Sequence, residues 1–214
     1  MPAFDRYAQH YDAWYEKEPG KALFPVEVDC LRPFVTIGQE RWLEVGVGTG
    51  RFSQALGIEY GIDPSATMLR FARSRGIQVC QASGEALPFR NSAFSGALIV
   101  FTLCVLSDPA KALSEVRRVL RPEGLLTIGE VPAGSPWAEF YSRRGQKKHP
   151  VYREFNFYTR DEVENLLAQA GFEVLAYRSA LFQPPELPHY HHETPLNGYS
   201  PQASFIAIQS RRRA

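Results

Sequence analysis

Short runs of apolar and β-branched residues alternate with helical patterns between residues 41 and 210 of the sequence. Seven of these runs have the length and composition of strands: residues 42–45, 59–62, 78–80, 97–103, 125–129, 173–179 and 204–208. Alternating strands and helices are typical of a parallel sheet that is covered by helices. The pattern therefore predicts an α/β fold.

Two of the intervening segments have well-defined helix ends. Apolar residues recur at helical spacing over residues 112–120, and the sequence Arg-Pro-Glu-Gly at 121–124 ends that helix. A second apolar stripe covers residues 163–170, beginning at the capping-box pattern of Thr159 and Glu162 and ending at Gly171. Both helices are predicted to pack on the sheet.

Before the first strand, aromatic residues recur at helical spacing and predict an N-terminal helix. Its apolar face consists of Phe4, Tyr7, Ala8, Tyr11, Trp14 and Tyr15. Two interpretations stay open: the helix packs on the core, or it covers a ligand. In the second case Tyr11 is a candidate substrate contact, and residues 1–40 form a helical cap.

The composition, with 44% hydrophobic and 22% charged residues among 214, is that of a folded domain. No internal repeat or low-complexity linker interrupts the sequence, so we predict one domain over residues 1–214. Cys30, Cys80 and Cys104 are far apart and odd in number, which argues against a disulfide framework. Together with an N-terminus unlike a signal peptide, this predicts a cytoplasmic protein.

The charge balance argues against nucleic acid as a partner. Lysine plus arginine number 24 and aspartate plus glutamate 23, so the formal net charge is +1. Nucleic-acid-binding domains usually carry a basic excess, because phosphate neutralisation supplies much of their affinity. The longest uncharged stretch also falls short of the roughly 20 apolar residues that cross a bilayer. We expect neither nucleic acid nor a membrane as partner.

Residues 41–52 run from a strand through a glycine loop into a helix, which suits a nucleotide-like ligand. Gly46, Gly48 and Gly50 follow the spacing G-x-G-x-G, with Glu44 before them. A dinucleotide fingerprint needs a third glycine where Arg51 stands. A nicotinamide-dependent oxidoreductase is therefore the less favoured alternative.

The sequence of this loop, Leu-Glu-Val-Gly-Val-Gly-Thr-Gly, resembles the first motif of class I S-adenosylmethionine-dependent methyltransferases of the small-molecule, UbiE-like (methyltransferase-11) type. Three further stretches resemble the family in the expected order: residues 60–65 with Met68, residues 83–89, and residues 97–104. The resemblance implies a Rossmann-like, seven-stranded, mostly parallel sheet with helices on both faces and an antiparallel last strand. It also implies a cofactor-binding half at 41–130 and a substrate-side half at 131–214.

The resemblance further implies that S-adenosylmethionine is the cofactor and S-adenosylhomocysteine the product. Its predicted binding residues are Glu44, Gly46, Gly48, Gly50, Asp63, Pro64, Met68, Ser83, Gly84, Glu85, Thr102 and Leu103. Asp63 is expected to accept hydrogen bonds from both ribose hydroxyls, since a carboxylate can accept from a vicinal diol.

Two departures from the family bear on activity. Ser83 stands where an aspartate often contacts adenine, and no obvious base is present, so a catalytically silent cofactor binder is an alternative. No Asn-Pro-Pro-Tyr-like tetrad occurs, which argues against methylation of adenine amino groups or glutamine amides. Methyl transfer mainly needs alignment and exclusion of water, so the resemblance assigns no catalytic residue.

Residues 131–158 and 183–201 are the long loops expected to select a small-molecule acceptor. Trp137, Tyr141 and Tyr152 are candidate substrate contacts, since aromatic residues can line a dry pocket or attract a cationic amine. The same stretch holds basic residues that could receive an anion: Arg143, Arg144, Lys147 and Lys148. A cationic and an anionic acceptor both stay open.

The second loop contains His189, His191, His192 and Glu193, with His149 as a further neighbour. A divalent metal, a catalytic histidine and a solvated loop are the alternatives here. Adjacent histidines point differently on an extended chain, and no spaced pair of the H-x-x-x-H kind supports a site. We therefore predict no metal.

Overall fold

The computed structural model describes residues 2–36, 38, 40–146, 149 and 151–213, and every structural statement here refers to them. Within these residues one sheet contains eight strands: β1 (Trp42–Val45), β2 (Tyr60–Asp63), β3 (Gln78–Gln81), β4 (Phe94–Val100), β5 (Leu120–Glu130), β6 (Phe172–Ala180), β7 (Leu196–Asn197) and β8 (Phe205–Arg212). The helices are α1 (Pro2–Trp14), α2 (Gly20–Leu31), α3 (Arg51–Leu56), α4 (Ala66–Ser74), α5 (Pro109–Val119), α6 (Pro136–Gln146) and α7 (Arg160–Gln169).

The strand order is β3-β2-β1-β4-β5-β8-β6-β7. Neighbouring strands among the first five are parallel, whereas β8 runs antiparallel to both β5 and β6. The α/β Rossmann-like prediction with an antiparallel last strand is confirmed. One strand, β7, was not among the seven that we predicted. It has two residues, pairs antiparallel with β6 and lies inside a segment that we predicted as loop.

The fourth strand ends three residues earlier than predicted, since the prediction was residues 97–103. It stops at Val100, because Phe101 has a φ of 51° and Leu103–Val105 forms a 3-10 turn. A left-handed residue interrupts the extended chain, and apolar composition alone does not reveal it. The turn matters because it brings residues 102–106 to the edge of the sheet where ligands bind in α/β proteins.

Side chains alternate between two cores on opposite faces of the sheet. In β4, Leu98 and Val100 pack with α2 and α3, whereas Ala97 and Ile99 pack with α5 and α7. This period of two is the ordinary geometry of a strand buried on both faces. Helices therefore cover both faces, as the sequence predicted.

The predicted helix boundaries are also observed. The capping box at α7 is formed by Thr159 and Glu162, and α5 ends at Val119, before the Arg-Pro-Glu-Gly sequence. The longest described helix, α1, has 13 residues, and none of the described helices has the length and apolar character of a membrane span.

Candidate active site

The main cavity among the described residues lies at the carboxyl ends of β1, β2, β4 and β5. Its floor includes the glycine loop after β1, and its roof is α1. Of the predicted cofactor residues, nine line this cavity: Gly46, Gly48, Asp63, Pro64, Met68, Ser83, Gly84, Glu85 and Thr102. The four predicted substrate contacts also line it: Tyr11, Trp137, Tyr141 and Tyr152.

The glycine loop is held against β2 by backbone hydrogen bonds. The N–H groups of Gly46 and Val47 each donate to the carbonyl of Ile62 at 2.8 Å, and the Gly48 N–H donates to Asp63 Oδ2 at 3.0 Å. A Cβ at Gly48 would have Tyr11 Cε1 as its nearest neighbour, 3.9 Å away. The space in front of this loop is therefore open to a ligand.

Asp63, the last residue of β2, lines the cavity beside the glycine loop. Its Oδ1 accepts a hydrogen bond from the Ser65 N–H at 2.8 Å, while Oδ2 accepts from Gly48. Burial raises the pKa of this carboxyl, and the two backbone donors oppose that rise. Each carboxylate oxygen retains a second acceptor position, which suits a vicinal diol.

Three predicted cofactor residues, Glu44, Gly50 and Leu103, are absent from the cavity lining. Glu44 is buried under the loop, where the Ser53 hydroxyl donates to its Oε2 at 2.5 Å; burial raises its pKa to about 8. Gly50 faces α4, and Leu103 is buried in the core beside α5. These positions support the loop from behind, and their contact with a cofactor stays a prediction.

Ser83 donates its hydroxyl hydrogen to the carboxylate of Glu85. The other Glu85 oxygen accepts from the Ser107 and Asp108 N–H groups at 3.1 and 3.4 Å. Burial would raise the pKa of Glu85, but these hydrogen bonds lower it overall. Glu85 thus places an ionised carboxylate next to the serine that departs from the family pattern.

Two side chains follow β4 at the floor of the cavity. The Thr102 hydroxyl donates to the carbonyl of Val100 at 3.0 Å and lies 3.3 Å from the Gly46 carbonyl. Cys104 is buried, and burial raises the pKa of its thiol. This protonated thiol fits the predicted role of a small buried residue.

Aromatic side chains line much of the cavity, and the space between them is called the aromatic chamber here. Its lining includes Tyr11, Trp14, Tyr15, Phe101, Trp137, Tyr141, Tyr152, Phe155 and Phe157. The Tyr11 and Tyr15 hydroxyls are 2.9 Å apart, and Trp137 Nε1 donates to the Gln183 carbonyl at 3.0 Å. The chamber is therefore built jointly by α1, α6 and the loop after β6.

The helix α1 both packs on the core and covers the cavity, and that it covers a bound ligand stays a prediction. Arg51, where a dinucleotide fingerprint has glycine, pairs with Asp12 at 3.0 Å and with Glu16 at 2.5 Å. Arg75 also pairs with Asp12, at 2.9 Å. Arginine at position 51 thus ties α1 to the helix that follows the glycine loop.

Sequence reasoning missed two cavity residues, Glu27 in α2 and Glu130 at the end of β5. They are only 3% and 5% exposed, and burial raises the pKa of each to about 8. Glu27 Oε2 has no hydrogen-bond partner in the described part of the chain. The available clues were an isolated acid among apolar residues 22–28 and an acid directly after a buried strand.

Replacement Glu27→Gln should make the ligand-free protein progressively more stable than wild type as the pH rises. The folded-state pKa of about 8 lies above the ordinary 4.5, so the wild type is most stable below 4.5 and loses stability as pH rises towards 8. Glutamine does not titrate. Urea unfolding at about pH 5, 7 and 9 measures this difference. The exposed Glu139→Gln is the control, and a Glu27→Gln difference that is independent of pH would contradict the prediction.

The histidine loop shows no prebuilt metal site. Among the residues that the structure describes, no group of three or more His, Cys, Asp or Glu side chains is placed to hold a metal ion. Glu193 instead accepts hydrogen bonds from the Phe182 and Gln183 N–H groups, both at 2.9 Å, and the Gln183 amide bonds the His191 backbone. The carboxylate therefore organises the loop.

His149 and the predicted basic residues do not belong to the histidine loop. His149 is 3.0 Å from the Tyr7 hydroxyl and stacks on Tyr152, linking α1 to the segment after α6. Arg144 packs over Phe140, and neither Arg143 nor Arg144 lines the cavity. Lys147 and Lys148 lie outside the described residues.

Comparison with known proteins gives a consistent result. Residues 43–128 match the family model described as a methyltransferase domain. An uncharacterized protein of Mycobacterium tuberculosis is 45% identical over 213 residues, which cover 98% of this chain and 75% of that protein. A demethylmenaquinone methyltransferase of Corynebacterium kroppenstedtii is 36% identical over 85 residues, covering 40% of this chain and 37% of the enzyme.

Among solved structures, one from Thermotoga maritima is similar over 99% of both chains, with a TM-score of 0.88 and 31% identity. It is described as an S-adenosylmethionine-dependent methyltransferase and possible histamine N-methyltransferase.

Proposed function

Because the chain belongs to the S-adenosylmethionine-dependent methyltransferases, we propose that it methylates a small molecule held in the aromatic chamber. The observation that carries this proposal is the continuity of one cavity from the glycine loop and Asp63 to the aromatic chamber. A cofactor at the first end and an acceptor at the second would then meet inside one enclosed space. We also propose that residues 1–214 form a single domain and that the protein acts in the cytoplasm.

The cofactor is S-adenosylmethionine, and the cavity fits it. Gly48 leaves open space for its methionine part, and the Asp63 carboxylate has acceptor positions for the ribose diol. We assign the adenine contact to Glu85 together with Ser83, because Glu85 supplies the charged acceptor that position 83 lacks. The bound cofactor supplies an activated methyl group on a sulfonium.

The chain's own contribution is alignment and the exclusion of water. The roof helix α1 is anchored by Asp12 to Arg51 and Arg75, and Tyr7 reaches across to His149. Buried and half-buried aromatic walls would keep a compact acceptor dry and oriented, which a displacement at a sulfonium carbon requires. A covered chamber of this kind does not suit a duplex or an extended polymer.

A transfer assay with methyl-labelled S-adenosylmethionine tests the acceptor class. The protein is offered separate metabolite, RNA and membrane-lipid fractions, and we expect label in the metabolite fraction. Tyr152→Ala should reduce the rate of labelling and leave S-adenosylhomocysteine affinity nearly unchanged, because Tyr152 lies in the chamber wall. Faster labelling of RNA than of every metabolite fraction, or loss of cofactor affinity in this variant, would contradict the proposal.

A further inference from the structure

The ionisable groups of the cavity are mainly acidic. Glu27, Asp63, Glu85 and Glu130 line it, whereas no lysine or arginine does so among the described residues. Two arginines that contact the roof helix, Arg51 and Arg75, are paired with Asp12 of that helix. Four carboxyl groups thus face one imidazole, that of His10, and an anionic acceptor would find no lysine or arginine among the described lining residues to offset its charge.

Two of these acids, Glu27 and Glu130, make no side-chain hydrogen bond or ion pair with another residue in the part of the chain that the structure describes. Glu27 projects from the middle of an apolar helix, and its Oε2 lacks a hydrogen-bond partner although it is buried. Glu130 ends the central strand β5 and is almost fully buried. A buried carboxyl group without a partner destabilises a protein unless a ligand provides that partner.

The walls around these acids favour a cation. Tyr11, Tyr15 and Tyr141 lie close enough to Glu27 for its charge to raise the pKa of each phenol, although burial is the main cause of those shifts. Tyrosine, tryptophan and phenylalanine rings attract cations through the negative faces of their π-systems. The same walls exclude water, which strengthens the attraction between a carboxylate and an ammonium group.

We propose that the methyl acceptor is an organic amine that enters as its ammonium form and is recognised by Glu27 and Glu130 inside the aromatic chamber. This inference rests on the proposed methyltransferase function and names the substrate class of that site. The geometry that carries it is the presence of two buried acids, Glu27 with an unpartnered carboxyl oxygen and Glu130, in one aromatic cavity whose described lining includes His10 but no lysine or arginine.

The same acids account for the proton that an ammonium group must lose. One N–H bond of the ammonium breaks, its electron pair stays on nitrogen, and the proton passes to a carboxylate of the pair. Burial raises the pKa of both carboxyls to about 8. Their pKa is therefore closer to that of an alkylammonium group than the pKa of an ordinary glutamate is. The titratable groups close to them are the phenols of Tyr11, Tyr15 and Tyr141 and the Cys30 thiol around Glu27, and the Cys104 thiol near Glu130.

Calorimetry on protein saturated with S-adenosylhomocysteine tests the charge preference without turnover. The probes are benzylamine, phenethylamine and tryptamine, each compared with the alcohol and the carboxylate of matching length. We expect amines to bind at least about 10-fold more tightly than their matched alcohols and carboxylates, because charged hydrogen bonds contribute about 1.5–3 kcal/mol. Equal or tighter binding of alcohols or carboxylates, or no binding by any amine, would overturn the inference.

Variants assign the effect to the two acids. Glu27→Gln and Glu130→Gln should each weaken amine binding by about 10-fold or more while S-adenosylhomocysteine affinity stays nearly constant. The exposed Glu139→Gln on α6 should change neither affinity. Cooperative melting of each variant shows that it is folded, and unchanged amine affinity in both acid variants would contradict the assignment. Failure of S-adenosylhomocysteine to bind the wild type would instead refute the proposed function.

Discussion

Replacement of Asp63 by asparagine is expected to weaken S-adenosylhomocysteine binding by about 10- to 100-fold. Asparagine has one acceptor oxygen, whereas the Asp63 carboxylate uses both oxygens, one for Gly48 and one for Ser65. The variant therefore loses a charged acceptor for the ribose diol and also loosens the glycine loop. Calorimetric titration measures the change.

The matched control is Asp29→Asn, which alters an exposed acid of α2 that lies outside the cavity. This control should bind S-adenosylhomocysteine like the wild type. If Asp63→Asn and the wild type bound S-adenosylhomocysteine equally well, Asp63 would not be a cofactor contact, and the proposed hydrogen bonds to the ribose would be wrong.

Replacement of Gly46 by alanine is expected to lower the free energy of unfolding by about 2–5 kcal/mol and to abolish most cofactor binding. Gly46 has a φ of 77°, and an added Cβ would lie 2.2 Å from Thr102 Oγ1 and 2.4 Å from its Cγ2. The residue therefore combines a left-handed backbone with a steric overlap. Urea unfolding and calorimetry report the two effects.

Gly76→Ala separates these causes. Gly76 has a φ of 83°, but no atom lies within 4 Å of an added Cβ. This variant should show only the backbone cost of about 1–2 kcal/mol and retain cofactor binding. If Gly46→Ala were no more destabilising than Gly76→Ala, close packing between the glycine loop and Thr102 would not be important.

Nine of the twelve predicted cofactor residues line one cavity, because they lie in a few contiguous segments; their contact with the cofactor stays a prediction. The glycine loop, Asp63 and the 83–85 segment each follow a strand, and parallel strands bring their carboxyl ends to one edge of the sheet. Short runs of apolar and β-branched residues also located seven of the eight strands, although β5 begins at Leu120, five residues before the predicted start. The left-handed Phe101 and the two-residue β7 depend on local backbone geometry and pairing, which the residue pattern does not encode.

The acceptor side was predicted only in part, for a physical reason. Glu27 and Glu130 are more than 100 positions apart, and each resembles an ordinary surface acid until the fold buries both in one cavity. Periodicity predicted the aromatic face of α1 but left its two interpretations open. The choice between a cationic and an anionic acceptor needed the observation that Arg51 and Arg75 are already paired with Asp12.

The most direct test of an active methyltransferase, as opposed to a silent binder, is the fate of the bound cofactor in one turnover. Purified protein is loaded with one equivalent of S-adenosylmethionine, mixed with the metabolite fraction, and analysed by mass spectrometry. The account predicts S-adenosylhomocysteine in equal amount to a methylated small molecule, and neither product without the fraction. S-Adenosylmethionine that stays bound and intact in the presence of every acceptor fraction would contradict it.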